Sequence, residues 1–274
     1  MTVLRARLAA ASALVLFCAA AAEPQVTAET PTLSREQIRQ FLLTAKVIKQ
    51  KDLSKGVTRP LRLTLTDGVL THDAVFSAVQ ETMPIFRYKD GRVELDFVDS
   101  YAYNIAAYLM AELIGLTDMM PVTVEREYDH HKGSLVWWVD DAMDEGDRRK
   151  QKLLAPDRED WDRQMYRMRL FAHLVGDTDR NTGNILIGSD WKIWMIDFTR
   201  AFRHTRTLSA TTDLQKCDRR LLAKLRELTP ETVAAATKPY IGGAEIDALI
   251  ARRDAIVALF ENLIRERGEE RVLY

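Results

Sequence analysis

Asp179, Asn184 and Asp197 are the side chains of this sequence best placed to handle a phosphate group. They lie within Phe171 to Phe202, FAHLVGDTDRNTGNILIGSDWKIWMIDFTRAF. An acidic loop, Asp177-Thr178-Asp179-Arg180-Asn181-Thr182-Gly183-Asn184, leads into a short apolar run, and a polar turn then leads into a second run that ends on Asp197. Two short apolar runs joined by a polar turn predict paired strands, so the loop and Asp197 arrive at neighbouring strand ends. Phosphoryl transfer uses such a set: one carboxylate orients the attacking hydroxyl, while an amide oxygen and a second carboxylate hold a divalent cation against the phosphates.

Two plainer readings compete. Asp177-x-Asp179-x-Asn181 opens like a calcium loop, but such a loop requires Gly at its sixth position and Glu at its twelfth, where this chain has Thr182 and Gly188. A polar turn whose Asp and Asn side chains serve only local backbone groups explains the loop. It does not explain the second Asp after Trp194-Met195-Ile196.

Asp179-Arg180-x-x-Gly183-Asn184-Ile185-Leu186, followed by Ile196-Asp197-Phe198, resembles the catalytic loop and metal-binding motif of phosphoinositide kinases, D-R-x-x-x-N-I-[LM] and then I-D-F-G. Asp179-Arg180 and Asp197-x-x-Arg200-x-Phe202 are similar to the secretory-pathway casein kinases. Both groups belong to the atypical, protein-kinase-like superfamily. The close match covers about thirty residues; elsewhere the resemblance is one of element order. It implies an α+β, two-lobed fold, with a small β-rich amino-terminal lobe and a mostly helical carboxy-terminal lobe. It also implies ATP as phosphoryl donor and Mg²⁺ or Mn²⁺ on Asn184 and Asp197. Asp179 would orient the acceptor hydroxyl, and Arg180 would steady the loop or a phosphate. Arg200 is open between structural support, paired with Asp179 or Asp177, and an ordinary surface arginine.

The remaining chain is read for what positions these groups. Its 274 residues, 47% of them hydrophobic, suit one large domain or two small lobes. A net charge of −1 gives no sign of a nucleic-acid or membrane-surface partner. Arg5 and Arg7 precede an apolar run from Leu8 to Ala22 that ends in small residues, the pattern of a cleaved signal peptide over residues 1–22. The chain is therefore expected to be exported, to the periplasm or beyond, with no membrane span in its mature form. Phe17, before Cys18, is too bulky for a lipoprotein cleavage site, so lipid anchoring at Cys18 is not expected. Removal of the leader takes two arginines and no acid, leaving 37 basic against 40 acidic side chains, about −3 net. Cys217 is then the sole cysteine, so the mature monomer has no internal disulfide.

Residues 23–33 read as a flexible tether rich in Pro, Thr, Ala and Glu. Residues 34–139 form the expected amino-terminal lobe. Ser34 and Gln37 predict a capping box, with Ile38, Phe41, Leu42, Ala45 and Ile48 along one helical face. The basic loop Lys55-Gly56-Val57-Thr58-Arg59-Pro60 can wrap phosphates through its backbone, with Lys55 as the candidate cation; it can equally be a plain connector. Strands are predicted at Leu61–Leu65, Ala74–Val79, Ile85–Tyr88, Val93–Phe97, Pro121–Glu127 and Ser134–Val139. A helix capped by Asp99 or Ser100 stops at Gly115. The hinge falls at about Val139 to Met143, so Val139 and Asp140 are where backbone would meet an adenine ring. Residues 140–274 form the catalytic lobe, with helices marked by Trp161 to Phe171, Leu214 to Leu225, Pro230 to Ala236 and Gly243 to Arg267. Trp137 and Trp138 read as packing.

A kinase usually carries a small-lobe Lys paired with a helix Glu. Here the corresponding strand, Ala74 to Val79, has no Lys, and Asn104 stands where the Glu is sought. The alternative is accordingly a nucleotide- or metal-binding pseudokinase acting as an interaction module. Zinc and serine-hydrolase motifs are absent from the sequence. The leading expectation is an exported kinase that transfers the ATP γ-phosphoryl group to a hydroxyl of a protein, lipid, glycan or small molecule.

Overall fold

A computed structural model describes residues 33–53, 60–88 and 90–274. The leader, nearly all of the tether, and Lys55 with its basic loop lie outside the described residues.

The first helix, α1 (Arg35–Thr44), starts on the expected capping box: Ser34 Oγ accepts from Gln37 N–H (3.2 Å) and Gln37 Oε1 accepts from Ser34 N–H (2.8 Å). It is shorter than its apolar spacing predicts. Ala45 turns to extended backbone, and β1 (Lys46–Asp52) follows, carrying Ile48 as a half-exposed strand residue. Pairing with β2 (Leu61–Thr66), from Lys46↔Thr66 to Asp52↔Leu61, outweighs the local helical spacing. β1 is the edge of its sheet, and Lys46, Lys49 and Lys51 keep that edge charged.

Strand alternation buries Leu63 and Leu65 of β2 completely. The Asp67-Gly68 turn, in which the Asp67 carboxylate accepts from Val69 N–H (2.9 Å) and Leu70 N–H (2.7 Å), leads to β3 (Thr71–Ser77). Because that turn closes tightly, β3 begins three residues earlier than expected. β4 (Gln80–Arg87) and β5 (Val93–Ser100) form a separate ribbon. Ser100 caps α2 (Tyr101–Ile114), and Gly115, at φ 78°, ends it. With β6 (Thr123–Tyr128) and β7 (His131–Trp137) the main sheet is antiparallel in the order β1-β2-β3-β7-β6, and α2 packs on β6 and β7. Trp137 stacks on His72 at 3.5 Å and Trp138 lies under Arg62, so both tryptophans pack.

From here helices dominate. After β8 (Met143–Asp144) come α3 (Glu145–Lys150), α4 (Arg158–Val175), the short strands β9 (Ile185–Ile187) and β10 (Ile193–Met195), then α5 (Arg219–Glu227), α6 (Pro230–Thr237), α7 (Gly243–Arg267) and α8 (Glu269–Val272). α5 starts later than Leu214 because Asp218 caps it, accepting from Arg220 and Leu221 N–H. One apolar cluster runs from Phe41 and Leu65 through Tyr108 and Phe171 to Phe260 and Val272. The fold is α+β, with a β-rich amino-terminal region and a helical carboxy-terminal one. Among the described residues no helix is long and apolar enough to cross a membrane.

Candidate active site

α4 delivers the acidic loop. Its capping residue Gly176 has φ 62°, and a Cβ there would come within 2.7 Å of the Arg252 guanidinium, so only glycine fits. The chain then turns into Asp177, whose side chain is fully buried. Asp177 Oδ1 accepts from Asp179 N–H (3.0 Å), and Oδ2 accepts from Arg180 Nε (2.8 Å) and Nη2 (2.5 Å).

Arg180 ties the site together. Beyond Asp177 it donates to the carbonyls of Asn184 (2.7 Å), Ile196 (2.7 Å) and Asp197 (3.2 Å), and its guanidinium lies 4.1 Å over the Phe198 ring. These bonds account for its donors, so Arg180 steadies the loop. The pairing Met195↔Ile185 puts Asn184, just before β9, beside the chain leaving β10, and Ile196 N–H donates to Asn184 O (3.2 Å). Loop and Asp197 therefore meet at one end of this hairpin, as their spacing predicts.

Asp179 is exposed, and its carboxylate accepts from Asn181 Nδ2 (3.1 Å). Asn184 donates Nδ2 to the Asp179 carbonyl (2.8 Å), which leaves its Oδ1 as the group available to a cation. Asp197 sits at φ 57°, left-handed backbone that Asp tolerates better than most residues. Its side chain reaches solvent, although the protein around it strips part of its hydration. Lost hydration raises its carboxyl pKa, with Asp179 adding repulsion, against the Thr199 hydroxyl bond (3.0 Å) and the Arg180 charge.

An accessible carboxylate that is poorly hydrated and close to a second one favours a bound cation. Asp197 and the Asn184 carbonyl supply hard oxygen donors, which suit Mg²⁺ or Mn²⁺. Among the described residues no three acidic, His or Cys side chains form a ready-made metal cage.

Val139 and Asp140 connect β7 to β8, with the Asp140 carboxylate 2.8 Å from His72 Nε2. Arg200 pairs with neither Asp179 nor Asp177. It reaches back to Glu94 (2.5 Å) and the Tyr88 hydroxyl (3.3 Å) on the β4–β5 ribbon, with its guanidinium 4.0 Å over the Phe97 ring. Asn104 also does work that sequence reading missed: its Oδ1 accepts from Phe198 N–H (2.6 Å) and its Nδ2 donates to Ser134 Oγ (3.2 Å), all buried. A neutral amide thus ties α2 to the residue after Asp197. Ser77, paired with Ser134, lies beside it.

The architecture is similar to that of solved kinases. Hydra Fam20, in a structure with sugar, aligns at TM-score 0.63 and 13% identity over 87% of this chain and 91% of its own. Golgi casein kinase with Mn and ADP bound aligns at 0.61 and 13%, over 87% and 78%. The chain has the fold of the atypical, protein-kinase-like superfamily. The Helicobacter pylori proinflammatory kinase CtkA, at TM-score 0.51 and 10% identity over 84% of this chain and 98% of its own, shares the kinase-like fold more loosely. No protein-family model and no curated protein matches the chain. Ser77 on β3 pairs in register with Ser134, whose hydroxyl accepts from Asn104 on α2, so uncharged side chains meet between this strand and this helix.

Proposed function

We propose that the chain is an exported atypical kinase that transfers the γ-phosphoryl group of ATP to a hydroxyl acceptor. The observation that carries this reading is the convergence of an exposed Asp179 with Asn184 and Asp197 at one end of the β9–β10 hairpin, held by the buried Asp177–Arg180 pair. Asp179 orients the acceptor hydroxyl and receives its proton as the new P–O bond forms and the bond to the β-phosphate oxygen breaks, releasing ADP. Asn184 Oδ1 and Asp197 hold Mg²⁺ or Mn²⁺, which when bound neutralises phosphate charge. Backbone at Val139 and Asp140 meets the adenine, and Lys55 on the β1–β2 connection supplies the phosphate cation that β3 lacks. The nucleotide and Mn in one structural neighbour support this choice of substrate and metal.

The leader pattern in residues 1–22 supports export, and the similarity to secretory-pathway kinases points the same way. The lobes divide at 139/140, in the connection that follows the end of β7 at Trp137. The test is turnover by the purified mature chain with ATP and Mn²⁺, offered protein, lipid, glycan and small-molecule hydroxyls; the sugar in one neighbour makes glycans the first choice. ADP formation together with a phosphorylated acceptor is the expected result. Nucleotide binding without turnover across the whole panel contradicts it.

A further inference from the structure

Arg62 is a small-lobe cation with no part in the reaction above, and strand pairing decides where it points. The register runs Arg62↔Val75↔Val136, Thr64↔Asp73 and Ser77↔Ser134, so these side chains share one face of the main sheet. Leu63, Leu65, Ala74 and Leu135 take the other face and are fully buried. The Arg62 face is the one turned toward the site. Ser134 Oγ on it accepts from Asn104 Nδ2, and Asn104 Oδ1 accepts from the N–H of Phe198, the residue after Asp197.

This face has two ends. Ser77 and Ser134 lie at the end joined to Phe198, beside the residues assigned to metal and phosphate. Arg62, Asp73 and Trp138 lie at the other. There Trp138 N–H donates to Asp73 O (3.1 Å), and the next residues are Val139 and Asp140, assigned above to the base. Val75 and Val136, both half-buried, offer a planar ring an apolar surface between the two ends.

Arg62 is held rigidly. Its Nε (2.6 Å) and Nη2 (2.5 Å) both donate to Asp73 Oδ2, and its guanidinium lies 3.9 Å over the Trp138 ring. Despite partial burial, the Thr64 hydroxyl and the Arg62 charge keep the Asp73 carboxyl below the usual carboxylate range, so it stays an anion. Among the described residues Arg62 Nη1 has no partner, and the side chain is 36% exposed. Both Nη1 hydrogens and the second one on Nη2 are thus a fixed fork of donors with nothing to meet. The two purines answer such a fork differently. Adenine sets its N6 amino donor beside each ring acceptor on its exposed edges, whereas guanine presents O6 and N7 as adjacent acceptors.

We infer that Arg62 is a specificity-determining residue of the nucleotide site, donating to O6 and N7 of guanine, so that guanine nucleotides bind at least as tightly as adenine ones. The inference rests on the kinase reading and widens its phosphoryl donor to GTP. Asp73 and Trp138 act through Arg62 as positioning residues.

Calorimetric titration of the full chain with ADP, GDP or IDP in the presence of Mn²⁺ tests this, for wild type, Arg62→Lys and Arg62→Leu. Wild type is expected to bind GDP at least as tightly as ADP. IDP, which keeps O6 and N7 but lacks the 2-amino group, should match GDP. Arg62→Lys leaves Asp73 a cation but removes the planar fork, so it should fold, lose GDP affinity by roughly 5–150-fold, and keep its ADP affinity. Arg62→Leu should repeat that split, and melting temperatures without nucleotide show whether each variant is folded. ADP tighter than GDP in wild type, IDP much weaker than GDP, or equal losses of ADP and GDP in the variants overturns the inference and leaves the kinase reading intact. No nucleotide bound by wild type overturns both.

Discussion

Asp179→Asn should lower phosphoryl transfer by about 10²–10⁴-fold, the usual contribution of a positioned acid or base, and should leave nucleotide binding in place. The two effects separate because the loop does not depend on this carboxylate for its shape. Its backbone carbonyl does that work, accepting from Asn184 Nδ2 (2.8 Å), Asn181 N–H (2.7 Å) and Asn181 Nδ2 (3.2 Å). Asn is nearly the same size and keeps those bonds, yet it is no base for the acceptor proton. ADP release and acceptor labelling report the first effect, and the nucleotide-induced rise in melting temperature reports the second. A variant as active as wild type would remove Asp179 from the chemistry.

Arg180→Ala should destabilise the protein by about 3–5 kcal/mol, the range for breaking a buried ion pair from one side. It strands the Asp177 carboxylate, whose side chain has no exposed surface, and it removes donors from the carbonyls of Asn184, Ile196 and Asp197. Asp177→Ala should do similar damage by stranding the guanidinium, and Asp177→Ala combined with Arg180→Met should cost less than the sum of the single changes. Urea denaturation midpoints give the comparison. A loss under about 1 kcal/mol would mean that the pair behaves as a surface salt bridge.

Asp179, Asn184 and Asp197 were legible because the features that bring them together are local: an acidic loop, two short apolar runs and the turn between them. The capping box at Ser34 and the Gly115 stop were readable for the same reason. What the sequence hid lies at long range. Ile48 continued a helical spacing and became a strand residue only through pairing with β2. Arg200 meets Glu94 across 106 residues, and Asn104 meets Phe198 N–H across 94. The Asp177–Arg180 pair was closer to view, three residues apart, but its burial depends on the whole loop folding back over β10.

The central claim, a nucleotide–cation site at Asp197 and Asn184, is tested most directly by the melting temperature of the mature protein. At about a hundred times its Kd, ATP with Mn²⁺ stabilises by roughly 2.7 kcal/mol, which for a domain of this size is an expected rise of roughly 5–10 °C. Mn²⁺ alone should do much less, and Asp197→Asn should lose most of the rise. No shift in wild type with ATP or GTP and either metal would contradict the account, and would return Asp179, Asn184 and Asp197 to the role of turn residues.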